Sequence, residues 1–341
     1  MKALMFDAPW VMPFRDVPDP QPRAGHAIIR VKAVGICGSD VHGFTGSTGR
    51  RSPGIIMGHE FAGQIDSLDQ TGPSDLEFQI GDRVAVNPLI TCGQCEPCRN
   101  GLENICERRK GIGWSVDGAY AELVSVPLRN LRRVPNSLNW QRAALIEPLA
   151  VAMRAANLTP LELGATVVVL GAGTIGLLTV LALKRKGAGK VIVTDPLPHR
   201  LELAFKFGAD LTINSKDVDA VQSVHDLTGG RGADAVVEAV GITATVEHSV
   251  RMARNGGAIT WIGNSAPRVE LPMQEVVTRE LRIQGSYGFG NEFDRALEML
   301  ASDSLNIEPL IEMTAPLEQG EEIITGLAKG GLQALKVVLT P

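Results

Sequence analysis

Aromatic side chains are scarce in this chain, with nine Phe, four Trp and two Tyr among 341 residues. A pocket for a bulky apolar ligand is walled mainly by such residues, so their shortage speaks against one. Positive charge is not in excess either: 33 Lys and Arg face 38 Asp and Glu, a formal charge of −5, which argues against a general nucleic-acid binder. There is no low-complexity tract, basic tail or short-period repeat. The opening MKALMFDAPW lacks the charged-then-apolar pattern of a signal peptide, and the expectation is a cytoplasmic protein without a membrane partner. Cysteine is nearly absent outside one stretch. Five occur, an odd number, in a chain too long for the small secreted domains that disulfides staple. Glycine is abundant, at 37 residues, which fits an α/β fold with many tight turns. The length favours two domains.

Four of the five cysteines fall in residues 92–106, CGQCEPCRNGLENIC. Iron–sulfur runs that open C-x2-C-x2-C close with C-x3-C-P, whereas here seven residues separate Cys98 from Cys106 and Glu107 follows. Soft thiolates and tetrahedral geometry favour zinc held by Cys92, Cys95, Cys98 and Cys106. A closed four-thiolate shell offers no position to a substrate, so its role is structural. It can contribute about 10–16 kcal/mol of apparent binding energy to local folding. Gly93, Pro97 and Gly101 suit a metal-clamped loop, placed at about residues 88–110.

The texture of the chain changes near residue 160. Before it, HAIIRVKAVGI, DRVAVNP and YAELVSVP read as strands. From ATVVVLGAGTIGLLTVLALKRKG onward, short apolar strands (KVIVTD, DLTIN, ADAVVEAVG, GAITWIGN) alternate with helical spacing, which predicts a doubly wound parallel sheet. After about residue 287, NEFDRALEML reads as a helix and ALKVVLT as a last strand that could return to the first domain. Within the second domain Gly171, Gly173 and Gly176 form G-x-G-x-x-G between a strand and an apolar helix. This frame gives a tight turn, a close approach for a pyrophosphate and close helix packing. Thr174 and Ile175 complete the turn. Asp195 ends the next strand roughly 20 residues on, where a carboxylate accepts from an adenosine ribose and repels a 2′-phosphate. NAD is therefore expected over NADP. A plain helix cap is the other reading of Asp195, and Arg200 nearby could accommodate the phosphate.

The isolated Cys37 lies in GICGSDVHGF, and His59 in MGHEFAG. With one carboxylate they would form a mixed S/N/O site with an open position, the form taken by catalytic zinc. Glu60, next to His59, and Glu147, in the apolar ALIEPLA, compete for that place. An unpaired charge at Glu147 would be costly without a metal. Read singly, each residue also has an ordinary explanation as a core thiol, a hydrogen-bonded histidine or an ion-pair partner.

Together CGSDVH, GHEFAG, GDRVAVNP, the four-cysteine lobe, IEPLAVA and GAGTIG resemble the zinc-containing medium-chain alcohol and polyol dehydrogenases, nearly end to end. The resemblance implies a GroES-like catalytic domain (1–155), a Rossmann domain (156–287) and a C-terminal segment (288–341) returning to the first. It places Cys37, His59 and Glu147 as zinc ligands, Glu60 as a residue able to enter the shell, and Asp40 as the carboxylate that orients the histidine. It implies one catalytic and one structural zinc. Glutamate at 147 resembles the sorbitol-, threonine- and sugar-alcohol-type members. The pattern departs at Asp69, where a small residue is usual, and QTGPSDLEFQ beyond it looks lengthened.

By the same resemblance, Ser39 receives the proton of the substrate hydroxyl and passes it by way of the cofactor ribose toward His42. Backbone near Gly263 and Ser286 contacts the nicotinamide. A free hydroxyl resists ionisation at pH 7, and zinc, which lowers the pKa of bound water from about 15.7 to about 7, removes that obstacle. The function expected is oxidation of a secondary hydroxyl of a polyol or sugar derivative to a ketone with NAD. Threonine-type and acidic-sugar dehydrogenases are alternatives, and a non-catalytic NAD-binding regulator is the reading from a different class. Arg50 and Arg51, in GFTGSTGRRSPGII, could grip an acidic sugar, or could simply be solvated loop residues. A homo-dimer or homo-tetramer is expected.

Overall fold

The computed structural model describes residues 1–69, 78–302 and 304–341. Most of the lengthened segment after Asp69 thus lies outside the described residues, while Asp69 itself is bonded through its backbone to Gly25 and His26. The chain forms two units, residues 1–147 with 293–341, and residues 148–292.

The first unit is built around the strand His26–Gly35, whose β-branched run HAIIRVKAVG favours extended backbone. It pairs antiparallel with Glu60–Leu68, Leu123–Pro127 and Lys336–Thr340. Arg83–Val86 and Leu131–Arg133 extend this seven-stranded sheet beyond Glu60–Leu68, and Ile311–Pro316 extends it beyond Lys336–Thr340, the one parallel pair. Three short strands, Phe14–Asp16, Lys2–Phe6 and Ile55–Ile56, form a second sheet. Phe6, Phe44, Phe61, Met57 and Ile29 are among the fully buried side chains that fill the core. One rung of the large sheet positions the site. Gly35 stands opposite Glu60 on one side and Val338 on the other, which brings Lys336, two residues from Val338, toward Glu60. A Cβ on Gly35 would collide with the Glu60 carboxylate, so glycine makes the approach possible.

The second unit holds six parallel strands. In chain order they are Thr166–Leu170, Lys190–Asp195, Leu211–Asn214, Ala233–Glu238, Ala253–Trp261 and Arg282–Gly285. Their order across the sheet is third, second, first, fourth, fifth, sixth, the arrangement of a Rossmann sheet. Strands covered on both faces should read as continuous apolar runs, and VVVL and KVIVTD do. Helix Thr174–Lys186 ends at Gly187, which takes the left-handed conformation with φ of 106°. Its Lys186 Nζ donates to the carbonyls of Ala156, Asn157 and Thr159, at and just beyond the end of helix Ile146–Leu158. The GroES-like plus Rossmann architecture expected from the sequence is the one found.

Candidate metal and cofactor sites

Cys37 precedes the helix Gly38–Phe44, and that turn carries Ser39, Asp40 and His42 on a single short element. Across the unit, Gly58 (φ 92°) turns the chain so that His59 and Glu60 enter the strand Glu60–Leu68 pointing at this helix. One ligand atom from each of Cys37, His59 and Glu60 lies within 4.8 Å of the others. Glu147, the competing carboxylate, is outside that set, although it is buried and feels His59, Glu60 and Lys336 electrostatically. Burial, reinforced by Glu60, pushes its carboxyl up to about 7, against the pull of His59 and Lys336.

Asp40 is fully buried. Its Oδ1 lies 3.3 Å from His59 Nδ1 and 3.1 Å from Arg51 Nη2, and its Oδ2 accepts from Tyr120 Oη at 2.9 Å. Burial alone would raise this carboxyl, but His59, Arg51 and Tyr120 together hold it well below the usual carboxylate range. With Nδ1 facing Asp40, His59 keeps Nε2 for a metal, the usual arrangement of a ligating histidine. The Trp114 ring meets His59 edge-on, centroids 5.4 Å apart.

Glu60 Oε2 accepts from Lys336 Nζ at 2.6 Å, and Lys336 also donates to the carbonyl of Ile36. Glu60 Oε1 is buried without a hydrogen-bond partner. An orphaned carboxylate oxygen, a thiol and a histidine nitrogen within one small radius are the donor set that suits zinc. Sequence reasoning missed Lys336, Tyr120 and Trp114. A lysine inside the apolar strand KVVLT was the available signal for the first, and the other two carry none in a single sequence.

The sequence leaves Arg50 and Arg51 either as a grip on an acidic sugar or as solvated loop residues; in the structure the Arg51 side chain is 6% exposed and ion-paired to Asp40. The reason is the buried carboxylate, which needs a cation more than the surface does. Arg50 is exposed. Ser39 is exposed and His42 half-buried, three residues apart and hence on one helix face. Burial lowers the pKa of His42, favouring the neutral imidazole.

The four remaining cysteines close on one another without bonding, and all are free. Their sulfurs are separated by 3.4 Å (Cys95 to Cys98), 3.5 Å (Cys92 to Cys106), 3.8 Å (Cys95 to Cys106) and 4.0 Å (Cys92 to Cys98). Sulfurs about 2.3 Å from a tetrahedral centre stand about 3.8 Å apart, so the cage has the dimensions of a zinc shell. Backbone N–H groups of Gln94 and Cys95 pull Cys92 down to about 6, whereas burial and neighbouring sulfurs push Cys98 up to about 12. Four thiols this close share their protons until a cation replaces them.

In the second unit the expected cofactor residues gather at the carboxyl ends of the parallel strands. Gly171 follows the first strand with φ of 95°. A Cβ on Gly176 would collide with the carbonyl of Gly171, whereas a Cβ on Gly173 would meet nothing within 4 Å. That open space lies at the start of helix Thr174–Lys186, with Thr174 and Ile175 in its first turn and no side-chain cap on its N–H groups. Asp195 is buried, and accepts from the N–H groups of Ala172 (2.8 Å) and Leu197 (2.9 Å), tying the glycine turn to the second strand. Arg200 Nη1 stands 3.9 Å from it. Gly263 lies against the buried Glu238, and the Ser286 N–H donates to Trp261.

The chain is similar to known proteins over its whole length. Residues 23–136 match the family described as alcohol dehydrogenase GroES-like domain, and residues 174–302 match the zinc-binding dehydrogenase family. Sorbitol dehydrogenase of Bacillus subtilis (strain 168) is 35% identical over 347 residues, spanning 100% of this chain and 97% of that protein. Galactitol-1-phosphate dehydrogenase from Escherichia coli superposes with a TM-score of 0.91 at 29% identity, over 100% of each chain. A zinc-binding dehydrogenase from Sinorhizobium meliloti 1021, solved with NADP, superposes with a TM-score of 0.92 at 30% identity, over 100% and 99% of the two chains. The chain belongs to the zinc-containing medium-chain alcohol and polyol dehydrogenases.

Proposed function

We propose that this enzyme oxidises a secondary hydroxyl of a neutral polyol or sugar derivative to a ketone, with NAD as the preferred acceptor. The observation that carries the reading is the cluster of half-buried Cys37 with buried His59 and Glu60, whose orphaned Glu60 oxygen fits a metal donor. Cys37 and His59 hold the catalytic ion with a carboxylate, Glu60 being the nearer in this structure and Glu147 the second choice. Cys92, Cys95, Cys98 and Cys106 hold the structural one. When bound, zinc supplies a Lewis acid toward the hydroxyl oxygen and the nicotinamide supplies the hydride acceptor.

The protein's own residues do the rest. Asp40 Oδ1, 3.3 Å from His59 Nδ1, keeps the ring in one orientation. The hydroxyl proton passes to Ser39 Oγ and on to His42, whose burial favours a neutral ring able to accept it. The carbon loses a hydride as its oxygen loses a proton, so the products are a ketone, reduced cofactor and one proton. Gly171, Gly173 and Gly176 seat the pyrophosphate on the first turn of helix Thr174–Lys186, and the segments at Gly263 and Ser286 flank the nicotinamide. Asp195 favours the free ribose of NAD, and Arg200, drawn toward Asp195, is less available to a 2′-phosphate.

Neutral substrates are favoured over acidic ones because Arg51 is committed to Asp40. A sugar phosphate, the substrate named for the galactitol-1-phosphate relative, is the competing version. A coupled screen of polyols, sugar acids, sugar phosphates and threonine, run with NAD and with NADP, tests the reading. We expect the highest kcat/KM with a neutral polyol and NAD, abolished by a chelator. Preference for a phosphorylated or acidic sugar, or for NADP, would overturn the corresponding half of the proposal.

We also propose residence in the cytoplasm and a homo-dimer or homo-tetramer. Among the described residues no helix is long and apolar enough to cross a membrane. Among the described residues Arg282–Gly285 is an edge strand with one neighbour, and in the helix Met273–Thr278 that precedes it in the chain Met273 and Val277 are 64% and 61% exposed. An edge and an apolar patch of this kind suit burial against a second copy. Light scattering on the purified protein reads the state directly, and a monomer at micromolar concentration would count against it.

A further inference from the structure

We propose that Arg51 is a positioning residue for the metal-binding histidine, coupling the loop of residues 45–54 to the catalytic ion; the inference rests on the reading of Cys37, His59 and Glu60 as a metal site. A single oxygen carries the coupling. Asp40 Oδ1 faces both Arg51 Nη2 at 3.1 Å and His59 Nδ1 at 3.3 Å, while Oδ2 takes Tyr120 Oη at 2.9 Å and the Cys37 N–H at 3.4 Å. Asp40 is therefore held by groups from three other places in the unit, and its carboxylate has one rotamer that satisfies them all. Whatever fixes that rotamer fixes the imidazole leaning on it.

Arg51 is built into this position. Its stem crosses the helix Gly38–Phe44 at Gly43, where a Cβ would stand 2.5 Å from Arg51 Cγ. A glycine inside a seven-residue helix costs stability, and here it clears the path for the guanidinium to reach Asp40. The side chain is 6% exposed, so the arginine is committed to the interior. A division of labour follows. Glu60 has Lys336 and Asp40 has Arg51, so each of these two buried carboxylates is neutralised by its own cation. Substitution at Arg51 frees Asp40 to rotate, and the histidine loosens with it.

The test uses the full, zinc-loaded enzyme and reads metal retention as well as turnover. The wild type should contain two zinc ions, of which a chelator removes one first. Arg51→Met should release that ion about tenfold faster or more, with kcat lowered about as much, KM for a neutral polyol changed little, and release of the second ion unchanged. Arg51→Lys should recover most of the loss. Tyr120→Phe, which removes a single donor from the same carboxylate, should move metal release in the same direction by a smaller factor, and it decides the matter if Arg51→Met does not fold. Zinc release at the wild-type rate in Arg51→Met, or in Tyr120→Phe where the former is insoluble, overturns the inference. So does an effect of Arg51→Met confined to KM for anionic sugars. A wild type holding zinc only in its four-cysteine cage would instead overturn the reading of the catalytic cluster.

Discussion

Lys336 is 2% exposed and Glu60 1%, and the two meet at 2.6 Å in a region with little water to share their charge. Such a pair adds little or no net stability over a well-packed apolar pair, but losing one partner strands the other. The carboxylate raises the Lys336 pKa despite the opposing effect of burial, so the lysine stays charged. Lys336→Met should therefore lower the unfolding free energy by about 3–5 kcal/mol, read by urea denaturation, and Lys336→Met with Glu60→Gln should recover part of it. A loss below about 1 kcal/mol would mean that the pair behaves as a surface bridge. Very little of this was legible in the sequence. Cys37, His59 and Glu60 announce themselves by residue type and motif. Lys336 becomes informative only once Gly35 is seen to stand opposite both Glu60 and Val338. Likewise nothing in the dipeptide Arg50–Arg51 states which arginine turns inward; that is decided by Asp40 and by the space at Gly43.

At the scale of single elements, the glycine turn separates folding from binding. Gly176→Ala would press a methyl onto the carbonyl of Gly171, so it should cost about 1–3 kcal/mol and lower Tm. Gly173→Ala meets open space and should leave Tm unchanged, yet weaken NAD about tenfold by occupying the approach of the pyrophosphate. Thermal scans of both variants with and without NAD check the pair, and equal Tm losses would refute the distinction. The starts of two neighbouring strands in the same unit are joined by Asp234. Arg231 first, then the Thr166 N–H and Arg254, hold its carboxyl well below the usual range against a partial desolvation cost. Because its folded pKa is depressed, its contribution is present above the unfolded value of about 3.9 and is lost as pH falls through the folded one. Asp234→Asn should thus lower Tm at pH 7, and the gap from wild type should narrow below about pH 4. A gap constant from pH 7 to 3 would rule out this electrostatic origin. The strand-turn-helix frame was readable from sequence because it is local and periodic. The partners of His26–Gly35 were not, since antiparallel pairing over long separations leaves no periodic trace in the chain.

For the whole molecule, the two proposed metal sites, both in the first unit, have separable consequences. Cys98→Ser breaks a cage that closes a loop of the first unit, and it should lower Tm and solubility with little effect on residual kcat per folded molecule. Cys37→Ser should abolish turnover while leaving Tm close to wild type, because Cys37 belongs to the open cluster. Metal analysis alongside calorimetry distinguishes them, and activity surviving in Cys37→Ser would sink the assignment. The two units also differ in when they can be finished. The dinucleotide unit is one continuous stretch, residues 148–292, complete in the chain before residues 293–341 of the other unit are made. The catalytic unit begins first and closes last. Glu60 leaves the ribosome 276 positions ahead of Lys336, on the order of tens of seconds at about 5–20 residues per second. Over that interval the strand His26–Gly35 lacks one neighbour, and the carboxylate proposed to face the ion has no counter-cation. The four-cysteine cage has all its thiols by residue 106, whereas the proposed reactive centre is complete only once the strand Lys336–Thr340 has emerged.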